Sequence, residues 1–233
     1  MKKSSLLSSV IGATLLGVFI YLSGCKNDDE NNPPSTVTDI DGNVYHTVTI
    51  GTQVWMVENL KTTKFNDGTV IPFVSDITEW SNLNTPGYCY YNNDASAYKD
   101  VYGALYNWFA VNTGKLAPAG WHVPTNVEWT TLADYLGGDT IAGGKLKETG
   151  TTHWNSPNEG ATNESGFTAL PAGGRAPDGN FYNQVGNYCY WWTATEYNTQ
   201  QVWRRMLTYL DINFPETRSY KTDGISVRCI KDD

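Results

Sequence analysis

The stretch from Gly120 to Trp129, GWHVPTNVEW, contains the clearest helix start in the chain. Thr125 is the expected N-cap and Glu128 follows three residues later, which is the spacing of a capping box, in which each side chain binds a free backbone amide. Gly137 and Gly138 suit the left-handed conformation that ends a helix. The side chains that this helix would bury are Trp129, Leu132, Ala133 and Leu136. The stretch therefore predicts a helix that packs on a core of large rings.

Shorter patterns upstream predict a hairpin and another helix. Residues 45–50 and 53–57 alternate as β-strands do, and Gly51-Thr52 between them suits a two-residue turn. Residues 101–111 place their large apolar side chains on one helical face. We therefore expect a β-hairpin followed by two helices.

The last third of the chain has no strong helical pattern. Gly, Asn, Pro and Thr separate short aromatic runs there, and this is typical of strands joined by long loops. The runs lie at residues 167–170, 188–195, 202–209 and 224–230. Taken with the helices, they predict an α+β domain with two helices, a twisted antiparallel sheet and long irregular loops.

The N-terminus has the pattern of a bacterial lipoprotein signal. Lys2 and Lys3 precede an apolar run at residues 10–22, and the run ends in Leu22-Ser23-Gly24-Cys25, which resembles a lipobox. This pattern predicts cleavage before Cys25 and acylation of that residue with fatty acids such as palmitate. The protein would then be anchored to a membrane rather than span it. An ordinary secretory signal and an uncleaved anchor helix are the alternatives.

The segment after Cys25 indicates where the protein is delivered. Residues 26–30, KNDDE, resemble the export signal of lipoproteins on the outer face of the outer membrane in Bacteroidetes-type bacteria. A solvated charge run in a tether is the alternative. We therefore expect an outer-membrane lipoprotein that faces the cell exterior. Its expected parts are a signal peptide (1–24), an acylated cysteine with an acidic flexible tether (25–38) and one domain (39–233).

Composition limits the partners of this domain. The chain has 16 basic and 24 acidic residues, a net charge of −8, and removal of the signal would leave 14 basic residues and a net charge of −10. Such a surface is poorly suited to nucleic acid, because phosphate contacts need Lys and Arg. Aromatic residues make up 13% of the chain, with 9 Trp and 15 Tyr. Rings in this number serve packing, and those on a surface suit stacking on sugars.

The cysteines and histidines give no catalytic pattern. Cys89, Cys189 and Cys229 remain after acylation, and we predict a disulfide between Cys189 and Cys229 because both lie in strand-like runs. The chain has no CxxC pair or Cys/His cluster of the kind that binds zinc. Its three histidines are isolated, and for His122 a structural hydrogen bond at the turn before the helix is favoured over catalysis.

The ordered motifs of the chain resemble one family over residues 39–233. They lie at residues 41–45, 53–60, 66–69, 87–94, 102–108, 120–125, 191–196 and 226–230. Together they resemble the Fibrobacter succinogenes major paralogous domain, which is widespread on exported lipoproteins of Bacteroidetes and Fibrobacteres.

Two of these motifs are also similar to the formylglycine-generating-enzyme (sulfatase-modifying factor) family. They are the Gly-Trp-x-x-Pro-Thr opening at residue 120 and the closing Val227-Arg228-Cys229. This resemblance implies a C-type-lectin-like fold. That family's enzymes act through a close pair of cysteines, which Cys189 and Cys229 do not match, so the oxidase chemistry is not implied.

Three functions follow as hypotheses. The first is a non-enzymatic surface module that binds a glycan or another extracellular ligand. The second is an accessory subunit of an outer-membrane complex such as a TonB-dependent transporter or the barrel-assembly machinery. The third, less favoured, is a glycan-active enzyme, for which no pair of carboxylates stands out. The candidate binding platform consists of Tyr182, Tyr188, Tyr190, Tyr197 and Trp203.

We expect no cofactor, with structural calcium as the one candidate metal. Residues 92–94 and 155–164 are rich in oxygen ligands, although ordinary turn chemistry explains the same composition. The Glu-Pro-Asn and Gln-Pro-Asp signatures of calcium-dependent sugar-binding lectins are absent from the sequence.

Overall fold

A computed structural model describes residue 1 and residues 35–181 and 184–233. Apart from residue 1, the predicted signal peptide, the predicted acylation site Cys25 and the tether up to residue 34 lie outside the described residues. No helix in the described part of the chain is long and apolar enough to cross a membrane.

The described residues contain ten strands and five α-helices. The strands are β1 (Thr36–Thr38), β2 (Val44–Ile50), β3 (Gln53–Met56), β4 (Tyr88–Cys89), β5 (Leu105–Tyr106), β6 (Trp121–His122), β7 (Tyr188–Glu196), β8 (Gln201–Thr208), β9 (Glu216–Tyr220) and β10 (Ile230–Lys231). The helices are α1 (Ile77–Ser81), α2 (Ala95–Tyr102), α3 (Trp108–Val111), α4 (Asn126–Tyr135) and α5 (Ala142–Leu146). The mixed α+β class is confirmed, but with five short helices where the sequence predicted two.

One sheet joins the two ends of the domain. Its order is β1-β2-β3-β10-β6, with every pairing antiparallel, so the last strand lies between the first hairpin and β6. The predicted hairpin is confirmed: Gly51, at φ +63°, turns β2 into β3. A glycine suits this position because side chains disfavour a positive φ.

Helix α4 forms as its sequence predicts. The Thr125 side chain accepts a hydrogen bond from the Glu128 amide, and the Glu128 carboxylate accepts one from the Thr125 amide at 2.7 Å. Trp129, Leu132 and Ala133 are buried, and Gly137 follows at φ +104°. Both the capping box and the glycine stop are therefore confirmed.

The predicted helix over residues 101–111 is wrong as a single element, because α2 ends at Tyr102 and α3 begins at Trp108. The chain leaves α2 at Gly103, which has φ +79° and whose Cα lies so close to Leu60 that a Cβ would meet the Leu60 carbonyl oxygen at 2.8 Å. Leu105 then pairs with Cys89 across β4 and β5, and Asn107 caps α3. Contacts with distant segments thus override the local helical pattern.

A second sheet has the order β7-β8-β9. Strands β7 and β8 confirm the runs at 188–195 and 202–209, whereas 167–170 and most of 224–230 make only isolated bridges. Strand β9 was not predicted. Strand β7 is buried on both faces, with Tyr190 and Trp192 in one core cluster and Cys189 and Trp191 in another. This double burial explains its nearly continuous apolar sequence.

The core is built from large rings. Trp129 lies 4.5 Å from Trp55 and 5.8 Å from Trp191, measured between ring centroids, and Phe167 lies 5.7 Å from Trp191. The fully buried Arg228 has its guanidinium carbon 4.2 Å from the Phe167 ring centroid. The aromatic content of the sequence therefore serves packing first.

Candidate functional site

The β7-β8-β9 sheet separates the residues of the predicted aromatic platform. Trp203 pairs with Arg218 of β9 and lies on one face, whereas Tyr190 pairs with Met206 and points to the other. Because successive side chains of a strand point to opposite faces, the five rings cannot form one surface. The Tyr197 ring contacts the Trp203 ring, and the Tyr188 ring stacks with the Tyr190 ring. Tyr182 lies outside the described residues.

The first pair lies in an open groove of about 600 Å³ at the end of the β7–β8 hairpin. We call it the hairpin groove, and its lining is Tyr197, Gln201, Trp203, Glu216, Thr217 and Arg218. The Tyr197 and Trp203 ring centroids are 4.7 Å apart at 75°. The Arg218 guanidinium lies 4.6 Å from the Tyr197 ring centroid. Tyr197 is 43% exposed, so it presents ring surface to solvent.

The backbone around the groove fixes these side chains. Asn198 accepts hydrogen bonds from the amides of Gln200 and Gln201 at 2.9 and 2.8 Å, which tightens the hairpin turn. The register of β8 and β9 places Arg218 beside Trp203. Glu216 accepts a hydrogen bond from the Asn126 side chain of α4 at 2.7 Å. The groove is thus attached to the structure at its turn, its sheet and the capped helix.

The groove combines ring surface with planar polar groups. An amide, a carboxylate and a guanidinium stand beside the two rings. Sugars present apolar C–H faces that stack on rings and hydroxyls that bind planar polar side chains, and ligand sites commonly combine a few such polar groups with apolar walls. This arrangement can bind a hydroxylated ligand without any chemical step.

The second pair lies beside a smaller cleft on the opposite face. We call it the arginine cleft; its volume is about 190 Å³, and its polar side chains are Arg175, Gln184, Tyr190, Arg204 and Asp223. Tyr188 and Tyr190 are stacked with centroids 5.9 Å apart at 9°. Tyr190 is only 7% exposed, so it offers a ring edge rather than a stacking surface. Burial raises the pKa of its hydroxyl to about 12.

All three histidines of the chain contact carboxylates. His46 lies 2.6 Å from Glu58, and His153 lies 2.9 Å from Glu148. His122 contacts Glu128 through Nε2 at 2.7 Å and Asp232 through Nδ1 at 2.6 Å. Burial lowers the pKa of His122, but the hydrogen bonds to Asp232 and Glu128 outweigh it, so the pKa is raised. His122 ties β6 to α4 and to the C-terminal residues, which is a structural role.

The oxygen-rich loops are engaged in turns and caps. Asn92 and Asn93 have φ of +50° and +58°, and Asp94 accepts a hydrogen bond from the Ala97 amide at the start of α2. The Asn158 side chain donates to the carbonyl oxygens of Glu148 and Gly150 at 2.9 and 2.7 Å. Within residues 35–181 and 184–233, no group of three or more His, Cys, Asp or Glu side chains is placed to hold a metal.

The predicted disulfide between Cys189 and Cys229 is not formed. Both are free, buried thiols, as is Cys89. Cys189 belongs to one core cluster and Cys229 to another, and Cys89 lies in a third. Strand-like sequence around two cysteines does not bring them together here, because Cys189 of β7 packs in one core cluster and Cys229, just before β10, packs in the other. Burial raises the pKa of Cys89 to about 12.

Comparison with known proteins gives the family. The family model described as the Fibrobacter succinogenes major domain matches residues 48–231. The chain belongs to this family. No curated protein and no solved structure matches the chain. The Fibrobacter succinogenes major domain therefore runs from within β2 to the end of β10, and it includes α4, the hairpin groove and the arginine cleft.

Sequence reasoning named the rings of the domain and missed their polar neighbours. Gln201, Glu216 and Arg218 complete the hairpin groove, and Arg204 and Asp223 complete the arginine cleft. One signal was available: Trp203 and Arg204 are adjacent in a strand, so they must face opposite sides. No local sequence pattern indicated that Glu216 and Arg218 of β9 and Asp223 of the following loop would lie beside these rings.

Proposed function

We propose that this Fibrobacter succinogenes major domain protein is a lipoprotein anchored through Cys25 on the outer face of the outer membrane. Its domain acts as a non-enzymatic module that binds glycans in the hairpin groove. The anchor and the surface location rest on the lipobox and on the acidic residues 26–30. The binding role rests on the groove.

The observation that carries the proposal is the composition of the hairpin groove. Tyr197 and Trp203 present adjoining rings, and Gln201, Glu216 and Arg218 surround them with planar hydrogen-bonding groups. The volume of about 600 Å³ lies in the range of ligand sites, about 300–1,000 Å³, and suits a short sugar segment.

We also propose that the fold is C-type-lectin-like. Its support is the combination of short helices with antiparallel sheets and the long irregular stretch over residues 147–181. The resemblance of residues 120–129 and 227–229 to the formylglycine-generating-enzyme family adds to this support.

Affinity electrophoresis of the purified protein against a panel of polysaccharides tests the binding role. We expect at least one polysaccharide to retard the protein. Because the proposed module is not an enzyme, the chain length of that polysaccharide should stay unchanged during incubation with the protein. The panel is run with calcium and with a chelator, which also tests the candidate calcium. We expect Tyr197→Ala and Trp203→Ala to weaken binding about tenfold or more, because interface rings carry much of the binding energy. Tyr135→Ala is the control, since Tyr135 is an exposed tyrosine of α4 outside the groove.

The outcomes separate this function from its alternative. Failure to bind across the whole panel would refute the glycan proposal. An accessory subunit of a transporter or barrel-assembly complex would instead use the same rings as interface anchors. A stoichiometric barrel partner recovered from mildly solubilised outer membranes, released by Trp203→Ala and accompanied by no glycan binding, would replace the proposal with that alternative.

A further inference from the structure

Two of the three charged side chains that line the arginine cleft have opposite charges and are not paired with each other. Arg204 and Asp223 both line it, yet no ion pair within 4.0 Å joins them among the described residues. The cleft is on the sheet face opposite to the hairpin groove, because Arg204 and Trp203 are successive residues of β8. Nothing in the proposed glycan binding uses it.

Arg204 is positioned but incompletely bound. Its Nε donates to Thr217 Oγ1 at 3.1 Å, and its guanidinium carbon lies 4.3 Å from the Tyr190 ring centroid. Its two terminal nitrogens make no hydrogen bond with any described residue. Burial removes part of the water around the Arg204 guanidinium and thereby lowers its pKa. A guanidinium held over a ring, with terminal N–H groups that bind no described residue, is suited to a carboxylate.

Asp223 supplies the negative charge of the cleft and is also removed from water. It is 8% exposed, and one carboxylate oxygen accepts a hydrogen bond from the Tyr220 amide at 3.1 Å. Burial raises its pKa, while the charge of Arg204 acts in the other direction. A buried carboxylate gains from a cationic partner, because buried charges are costly unless they are paired.

We propose that the arginine cleft binds a small zwitterion, a molecule with one carboxylate and one ammonium group. The carboxylate binds Arg204, the ammonium group binds Asp223, and the Gln184 side chain and Tyr190 ring border the remainder. The volume allows this class: a water molecule occupies about 30 Å³ of liquid, so about 190 Å³ equals roughly six waters, which leaves room for a small free amino acid.

Isothermal titration calorimetry of the purified protein with glycine, β-alanine and 4-aminobutyrate tests the proposal. The three probes share both charges and differ in the distance between them. We expect one of them to bind, and we expect propionate and propylamine, which each keep a single charge, to bind about tenfold more weakly or worse. Arg204→Gln and Asp223→Asn should each lower the affinity about tenfold, with melting curves recorded to confirm folding.

Two control variants separate binding in the arginine cleft from binding in the hairpin groove. Arg218→Gln, on the other face of the sheet, should leave zwitterion binding unchanged, while Arg204→Gln should leave polysaccharide binding unchanged. Equal binding of propionate and β-alanine would overturn the zwitterion in favour of a simple anion site. Absence of binding by all three zwitterions would overturn the site itself. Because the two ligands are measured separately, failure here leaves the glycan proposal standing.

Discussion

Two arginines that line the same cleft have opposite roles. Arg175 is 1% exposed, and all three of its nitrogens donate to backbone carbonyl oxygens. Its guanidinium also lies between the rings of Trp80 and Phe181, at 4.5 and 4.9 Å from their centroids. Arg204 has one ring and one hydroxyl as partners. The difference separates a cation that holds the fold together from one that is available to a ligand.

Two other buried cations, Lys147 and Arg228, follow the pattern of Arg175. Lys147 donates to the carbonyl oxygens of Glu159, Thr208 and Asp211 at 2.8, 3.1 and 2.8 Å. Arg228 donates twice to the Asn59 side chain and once to the Phe167 carbonyl. Each satisfies its donors with neutral oxygens, and each joins segments far apart in the chain. In an irregular domain, such cations replace the hydrogen bonds that regular strands would supply.

The largest effect is expected at Arg175. Arg175→Met removes the donors to the carbonyl oxygens of Gly179, Val74, Ser75 and Asp76 and should lower the free energy of unfolding by about 3–5 kcal/mol. Arg204→Met is the matched variant and should change it by less than about 1 kcal/mol. Urea denaturation measures both. Equal losses would show that Arg204 is a structural cation too.

A smaller effect is expected at Lys147. Lys147→Met fits the same space but leaves three carbonyl oxygens without their donor, so the free energy of unfolding should fall by about 2–4 kcal/mol. Lys145→Met, two residues earlier, removes only an ion pair with Glu164 at the surface and should cost less than about 1 kcal/mol. A Lys147 variant as stable as the wild type would show that water satisfies these carbonyls.

The smallest effect is expected at His122, where pH itself sets the charge. Its folded pKa is raised above 6.5, so its stabilisation is present below pH 6.5 and is lost as pH rises through the folded pKa. The pKa of Glu128 is lowered from 4.5, so its stabilisation is present above pH 4.5 and is lost as pH falls through its folded pKa. Stability from this contact should therefore be greatest between these values.

Thermal melting across pH 4 to 9 measures this dependence. His122→Gln should flatten the decline above pH 6.5, and Asp232→Asn should flatten it in part, because one carboxylate remains on the ring. Both changes should stay below about 1 kcal/mol, since the side chains are partly exposed. A decline that persists unchanged in His122→Gln would place its origin elsewhere.

Much of the local structure was predictable from short stretches of sequence. The capping box, the glycine stop of α4, the hairpin around Gly51 and the strands β7 and β8 all depend on neighbours within a few residues. The single helix predicted for residues 101–111 does not form, because contacts with distant residues override its local pattern: Gly103 packs against Leu60 and Leu105 pairs with Cys89. Strand β9 was missed because it exists through its pairing with β8.

The sequence by itself determined the family, the capped helix and the aromatic composition of the domain, including the rings of the predicted platform. The tertiary structure alone decided that those rings divide between two faces and that Cys189 and Cys229 stay apart. It also decided that Arg175 is satisfied while Arg204 is not. The physical reason is range: periodicity and caps act within a few residues, whereas the partner of a buried charge or thiol comes from segments tens of residues away.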